Sequence, residues 1–335
     1  MSSEFGINIK YSIFGQSHGR AIGVLVDKFP VGEEINFEEL KKFLARRKPG
    51  QSDLTTKRNE ADEPIFLSGL NEKNITCGAP LCAIIENHDT RSGDYAEILD
   101  KPRPGHADYT AYIKYKGHAD LRGGGHFSGR LTAPLCIAGG IALQILNRKG
   151  IFINANLIEA GGARGEEIFN AIKEASSSGN SVGGIVECVI DYPKEFSGLG
   201  EPMFDGVESQ LAKVLFGIPA VKGVEFGAGF EAAKMLGSQN NDAFRINNAD
   251  EVYTMTNNSG GILGGITNGM PITFRVAFKP TPSISLKQET ISLSEKKNSE
   301  ISIHGRHDPC VALRAVPVVE AAAACVMLDM ISIKN

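Results

Sequence analysis

The sequence predicts an α+β protein with helices inside and sheets outside. Three stretches predict this. Residues 131–146 carry Leu135, Ile137, Ala138, Ile141, Leu143 and Ile145 and are apolar on nearly every side. The run opened by Pro317, Val-Val-Glu-Ala-Ala-Ala-Ala-Cys-Val-Met-Leu, has the same character. A helix without a polar face is buried all round, so other layers must cover both. In residues 271–279, by contrast, Ile272, Phe274, Val276 and Phe278 alternate with Thr273, Arg275, Ala277 and Lys279. That is the period of two of a half-buried strand. The arrangement is the reverse of a doubly wound fold.

The chain has 335 residues and 42% hydrophobic content, enough for a large core in one big domain or about two smaller ones. A net charge of −4 gives no general attraction to nucleic acid or anionic membrane. Six cysteines lie scattered with no C-x-x-C pair, which argues against a zinc ribbon or redox motif and for reduced thiols in a cytoplasmic protein. The first residues lack a basic and an apolar region, so no signal peptide is read there. No apolar run reaches the roughly 20 residues of a membrane span without a charge or helix breaker.

In chain order, Phe14 to Gly19 is a glycine-bracketed turn holding Ser17 and His18, ahead of a buried strand over 21–27. Asn36 caps a helix with Glu38 and Glu39 in its first turn and Arg46, Arg47 and Lys48 at its end, which suits the helix dipole. Pro49-Gly50 stops it, and the polar run to Arg58 reads as a loop carrying cations over a pocket. Residues 81–87 read as a buried strand, with His88, Asp89 and Arg91 as structural hydrogen bonders at its exit.

The stretch from Arg103 to Arg130 is the densest in chemistry. It holds Arg103, Arg122, Arg130, three histidines (His106, His118, His126) and the triple glycine Gly123 to Gly125. Arginine forks grip phosphate or carboxylate through paired hydrogen bonds. Glycine lets backbone approach a ligand, and histidine trades a proton near neutral pH. Together they describe a pocket for an anion that also needs acid catalysis. The bland alternative, a solvated polar loop, suits one arginine or histidine better than three of each. Tyr109, Tyr112, Lys114 and Lys116, between His106 and His118, supply no further metal ligands, so no metal is expected.

Further on, residues 181–191 read as a strand and 204–216 as an amphipathic helix. Gly227 to Ala232 mimics a dinucleotide fingerprint, but the polar run beyond it is not the second strand that such a unit requires. Residues 260–265 form a second glycine-rich loop, 291–304 read as a hairpin, and Arg306, His307 and Asp308 precede the last buried helix.

Taken in order, the motifs Gly-Gln-Ser-His-Gly, Arg-Pro-Gly-His-Ala-Asp, Asp-x-Arg-Gly-Gly-Gly, Gly-Gly-Ile-Leu-Gly-Gly-Ile-Thr-Asn-Gly, Lys-Pro-Thr-Pro-Ser-Ile and Gly-Arg-His-Asp-Pro-Cys resemble those of the chorismate synthase family. They run from residue 15 to residue 310. The resemblance implies a single-domain β-α-β sandwich, with buried helices between antiparallel sheet layers, assembled as a homotetramer. It implies a lyase of the shikimate pathway of aromatic amino acid biosynthesis. Its reaction would be the anti 1,4-elimination of phosphate from 5-enolpyruvylshikimate 3-phosphate to give chorismate. Reduced FMN would be required without net redox change, and NADPH would act only indirectly, through an external flavin reductase.

The same resemblance assigns roles. Arg47, Arg103 and Arg130 would face the substrate. His106 would serve the departing phosphate, and His18 would stay protonated beside the reduced flavin. Asp308, helped by Ser17 or Ser128, would take a proton from the flavin. His126, Phe127, Ser128, Pro219, Ala220, Gly264, Lys279, Pro280, Thr281, Pro282, Ser283 and Arg306 would contact FMN. The chain departs from the commonest family pattern at Gln16, where Glu is usual, and at Asp53, where an arginine is frequent. It departs again at His126-Phe127-Ser128-Gly129, which replaces Arg-Ser-Ser-Ala. These changes motivate one alternative: a catalytically impaired paralogue that still binds flavin or phosphate.

Overall fold

The structure is a computed structural model. It describes residues 3–48, 50, 62–88, 97–303 and 307–332. Asp53, most of the expected cationic loop, Asp89, Arg91 and Arg306 lie outside the described residues.

The chain opens with strands β1 (Glu4–Phe5), β2 (Lys10–Gly15) and β3 (Ala21–Asp27), then helix α1 (Phe37–Arg47). Asn36 caps α1 as expected: its side chain accepts the Glu39 N–H at 3.1 Å. Strands β4 (Ile65–Ser68) and β5 (Leu81–Glu86) complete a first antiparallel sheet, in the order β1-β2-β3-β5-β4. Helix α2 (Asp108–Tyr115) and the core helix α3 (Thr132–Arg148) follow. Next come β6 (Phe152–Ala160), β7 (Ala163–Arg164), α4 (Glu167–Ser177), β8 (Gly184–Asp191), α5 (Val207–Leu215) and β9 (Val221–Phe226). A short helix α6 (Gly237–Asn240) and the small hairpins β10 (Phe244–Ile246)–β11 (Val252–Thr254) and β12 (Ile262–Leu263)–β13 (Ile266–Thr267) lead to β14 (Ile272–Phe278). The second antiparallel sheet has the order β7-β6-β8-β14-β9. A hairpin of β15 (Gln288–Ser292) and β16 (Lys297–Ile301) precedes the last helix, α7 (Ala312–Ile331).

Helices α3 and α7 pack on each other between the sheets, α3 against β3 and β5, α7 against β6 and β8. Helices inside and sheets outside is therefore the observed arrangement. On β14, Ile272, Phe274, Val276 and Phe278 are all buried, as their alternation requires. Each fully buried aliphatic or aromatic side chain contributes roughly 1.5–3 kcal/mol. The two core helices cross closely at Gly139. A Cβ there would sit 2.3 Å from the Cβ of Ala321, so only glycine allows the approach. Residues Gly129–Arg148 are long and apolar enough to cross a membrane, yet 94% of their apolar 18-residue window is buried inside the protein.

The buried polar groups of α7 are all engaged. Asp329 accepts the N–H groups of Ile7, Asn8 and Ile9, each at 2.7 Å, and so closes the turn between β1 and β2. Glu320 accepts both Arg46 Nη atoms at 2.6 and 2.9 Å and the Ala155 N–H at 3.0 Å, joining α1 and β6 to the core helix.

Several boundaries differ from the sequence expectation. Helix α7 starts at Ala312, and Pro317 lies inside it rather than at its head. Residues 203–205 form a separate 3-10 turn, so α5 is shorter than 204–216. The final hairpin starts and ends three residues earlier than 291–304. The segment at Gly229–Lys234 is a 3-10 turn, without the helix that a dinucleotide fingerprint needs.

Candidate active site

The Ser17–His18 turn is fixed from two sides. The Gly19 N–H closes it on Gln16 O at 3.0 Å, and the Ser17 N–H donates to Gly125 O at 3.0 Å. The triple glycine runs at φ 61°, 83° and 55°, backbone that a side chain would strain. Gly123 is needed twice over. A Cβ there would lie 2.5 Å from the His18 ring and 2.9 Å from Ser17 Oγ. Ser17 is fully buried, and its hydroxyl has no hydrogen-bond partner among the described residues.

Arg103 is held by Asp108 at the head of α2. Its Nε donates to Oδ2 at 2.7 Å and its Nη2 to Oδ1 at 2.8 Å. His106 Nδ1 lies 2.7 Å from the same Oδ1. Burial pushes the Asp108 carboxyl upward, but the bonds from Arg103 and His106 outweigh it and hold the group far below the usual carboxylate range.

A second buried carboxylate, Asp62, joins two arginines. Arg47 Nη1 donates to Oδ2 at 2.9 Å and Arg130 Nη1 to Oδ1 at 2.6 Å. Burial alone would raise Asp62, while the two guanidiniums outweigh it and lower it. Arg47 also donates to Thr132 Oγ1 and Gly129 O, and Arg130 Nε donates to Asn87 Oδ1 at 2.7 Å. The Asn87 amide in turn donates to Gln16 O and Gly19 O, so the Ser17–His18 turn and Arg130 share one support.

At the head of α7, Arg314 Nη1 donates to Asp308 Oδ2 at 2.6 Å, and Thr281 Oγ1 donates to Asp308 O at 2.7 Å. Burial, and then the nearby Arg103, depress His307 to about 4, so it is neutral at pH 7. Lys279 donates to Gly105 O.

His18, Arg47, Arg103, His106, Arg130, Lys279, His307, Asp308 and Arg314 meet at one cavity of about 550 Å³, a size suited to a cofactor with a small ligand. Of the residues singled out in the sequence, His18, Arg47, Arg103, His106, His126, Phe127, Ser128, Arg130, Pro219, Ala220, Lys279, Thr281, Pro282, Ser283 and Asp308 line it. Ser17 stands directly behind His18 and Gly123. Two expected cofactor contacts are not among the lining residues. Pro280 is not part of the cavity wall, and neither is Gly264, which sits in the turn between β12 and β13. Asp62, Asp108, Arg314 and Lys222 were not singled out, and His307 was named without a role. Asp108 ends the motif that holds His106, so it had a local signal, and Arg314 lies six residues beyond Asp308 in the first turn of α7. Asp62 had none.

The wall suits a flavin with an anionic tail. Phe127, Pro219, Pro282 and Val318 offer apolar faces for a planar ring, and Lys222 and Lys279 offer cations.

An α+β sandwich whose loops gather cations and histidines round one hollow defines an enzyme that binds an anion and manages its protons. Comparison with known proteins makes this specific. A family model described as Chorismate synthase matches residues 9–332. A chorismate synthase of Korarchaeum cryptofilum is 45% identical over 98% of this chain and 96% of its own length. One from Thermococcus kodakarensis is 47% identical over 96% and 95%. A solved structure titled "Crystal Structure of Chorismate Synthase" superposes with a TM-score of 0.76 at 25% identity, covering 98% of this chain and 93% of that one. The chain belongs to the chorismate synthase family. It is a carbon–oxygen lyase that converts 5-enolpyruvylshikimate 3-phosphate to chorismate by 1,4-elimination of phosphate, in the shikimate pathway. A reduced flavin cofactor follows from that family in general.

Proposed function

We propose that this elimination takes place in the cavity between His18, His106 and Asp308. Their meeting in one hollow is the observation that carries the reading. Arg47, Arg103 and Arg130 bind the carboxylates and phosphate of the substrate, each charge-assisted bond contributing roughly 1.5–3 kcal/mol. His106 gives a proton or hydrogen bond to the departing phosphate as its C–O bond breaks. Reduced FMN, when bound, supplies electron density for the elimination with no net redox change. His18 holds a proton beside the flavin's negative charge, and Asp308 takes up a proton at its carboxylate, helped by Ser17 or Ser128. Phe127, Pro219 and Pro282 pack against the flavin ring and keep water from it.

The reading extends to the cellular setting. Six free cysteines suit a reducing cytoplasm. Phe204, Phe230, Leu236 and Ile246 are each more than two-thirds exposed, which suits burial against further copies in a homotetramer. Reduced FMN then comes from an external, NADPH-dependent flavin reductase.

The direct test is chorismate formation by the purified protein with chemically reduced FMN under anaerobic conditions. Turnover with oxidised FMN alone would sink the requirement for the reduced form. His106→Ala is expected to slow phosphate release by about 10²-fold or more. Unchanged turnover would remove His106 from the mechanism.

A further inference from the structure

We propose that Asp108 is a positioning residue for the elimination: it fixes the proton of His106 on Nδ1, turns Nε2 toward the cavity, and locks Arg103 in the same gesture. This rests on the reading that His106 serves the departing phosphate.

The geometry is specific. Asp108 is 1% exposed, while His106 reaches the cavity wall. A carboxylate only accepts, so the 2.7 Å contact makes His106 Nδ1 the donor. Arg103 Nη2 also lies 3.0 Å from Nδ1 and 3.3 Å from Nε2. One nitrogen that close to both ring nitrogens lies across the ring and is not aligned with either lone pair. Its real partner is Asp108 Oδ1 at 2.8 Å. Nε2 faces the triple glycine, 3.4 Å from where a Gly124 Cβ would stand. The side chain that meets ligand is thus aimed by one that cannot.

The charges round His106 explain why a carboxylate is needed. Arg103 lies against it, and Lys279 donates to the adjacent Gly105 carbonyl. Arg103 alone would repel a protonated imidazole. Asp108 offsets that repulsion while its bidentate bond keeps the guanidinium flat and directed toward Ser283 Oγ at 3.1 Å. An aspartate that sets the tautomer of a catalytic histidine acts in the same way in hydrolase triads, where its amide variant lowers turnover by about 10⁴-fold.

The experiment is ¹⁵N NMR of the histidine-labelled, ligand-free protein at pH 8, with His106→Gln assigning the signal. Wild type is expected to show the proton on Nδ1; a proton on Nε2 overturns the proposal with no variant required. Asp108→Asn is expected to shift the signal toward the other tautomer. It is also expected to lower kcat by about 10²-fold or more, with the acid limb of the pH–rate profile displaced. An unchanged nitrogen pattern in folded Asp108→Asn, or a shifted pattern with kcat within twofold of wild type, overturns it. Failure of His106 itself would appear separately, as normal turnover by His106→Ala.

Discussion

Asp308 Oδ2 and Arg314 Nη1 lie 2.6 Å apart at the mouth of α7. Both side chains are mostly covered, at 12% and 15% exposure. Arg314 also donates from Nε to the Arg47 carbonyl at 3.0 Å, so the pair connects the proposed proton carrier to the end of α1. Removing one member of such a pair leaves a covered charge alone, at a cost of about 3 kcal/mol. Arg314→Ala is therefore expected to lower stability by about 2–3 kcal/mol and kcat by at least tenfold. Urea unfolding and anaerobic turnover check the two effects. Loss of stability with unchanged kcat would make Arg314 a structural residue only.

Gly123 separates packing from function more sharply. Its φ of 61° already costs an L-residue about 1–2 kcal/mol, and its added Cβ meets the His18 ring at 2.5 Å. The ring must move to make room. Gly123→Ala is expected to fold, to lose a few kcal/mol at most, and to weaken FMN binding at least tenfold in a fluorescence titration. FMN affinity equal to wild type would place the cofactor away from His18.

These two sites show what the sequence could and could not convey. His18, His106 and Gly123 sit in short glycine-flanked motifs, where local backbone demands and chemistry coincide, so they were legible. The core helices were legible because a helix with no polar face has only one place to go. Asp62 was not, because its meaning lies in Arg130, 68 residues away. Nothing near it in the chain announces a carboxylate shared by two arginines. The head of α7 was misplaced for a local reason: proline is favoured in a first turn, so Pro317 read as the start, whereas packing carries the helix back to Ala312. Gly264 shared the glycine-rich look of a binding loop, but only the three-dimensional path sends it into a separate hairpin.

Neutral His307 sets a pH limit. Its folded value of about 4 lies below the ordinary value near 6.5, because burial disfavours the charged ring. Between these values the unfolded chain binds a proton that the folded protein does not. Stability is therefore full above about pH 6.5 and is lost as pH falls toward 4, by on the order of 2 kcal/mol at pH 4.5. The lowered carboxylates Asp62 and Asp108 act in the same direction, but mainly near and below their unfolded value of about 3.9. Urea melts at pH 7 and 4.5 are expected to show a smaller difference for His307→Asn than for wild type. Equal losses would mean that His307 is not the group responsible.

Glu320 and Arg46 make an uneven pair, since the carboxylate is 5% exposed and the guanidinium 47%. The two ends should therefore fail differently. Without Glu320, Arg46 turns to water, and the main loss is the acceptor for the buried Ala155 N–H, worth about 1–3 kcal/mol. Without Arg46, the carboxylate stays in the core with one backbone donor and no counter-charge. Arg46→Ala is expected to cost about 2–4 kcal/mol, more than Glu320→Gln, whose amide oxygen still accepts from Ala155. Adding Glu320→Gln to Arg46→Ala should then restore part of the loss, because the second change removes the stranded charge. A double-mutant cycle by chemical unfolding measures this directly. If the double variant is less stable than Arg46→Ala alone, the buried charge is not what makes Arg46 necessary, and the salt bridge owes its value to packing along the Arg46 stem.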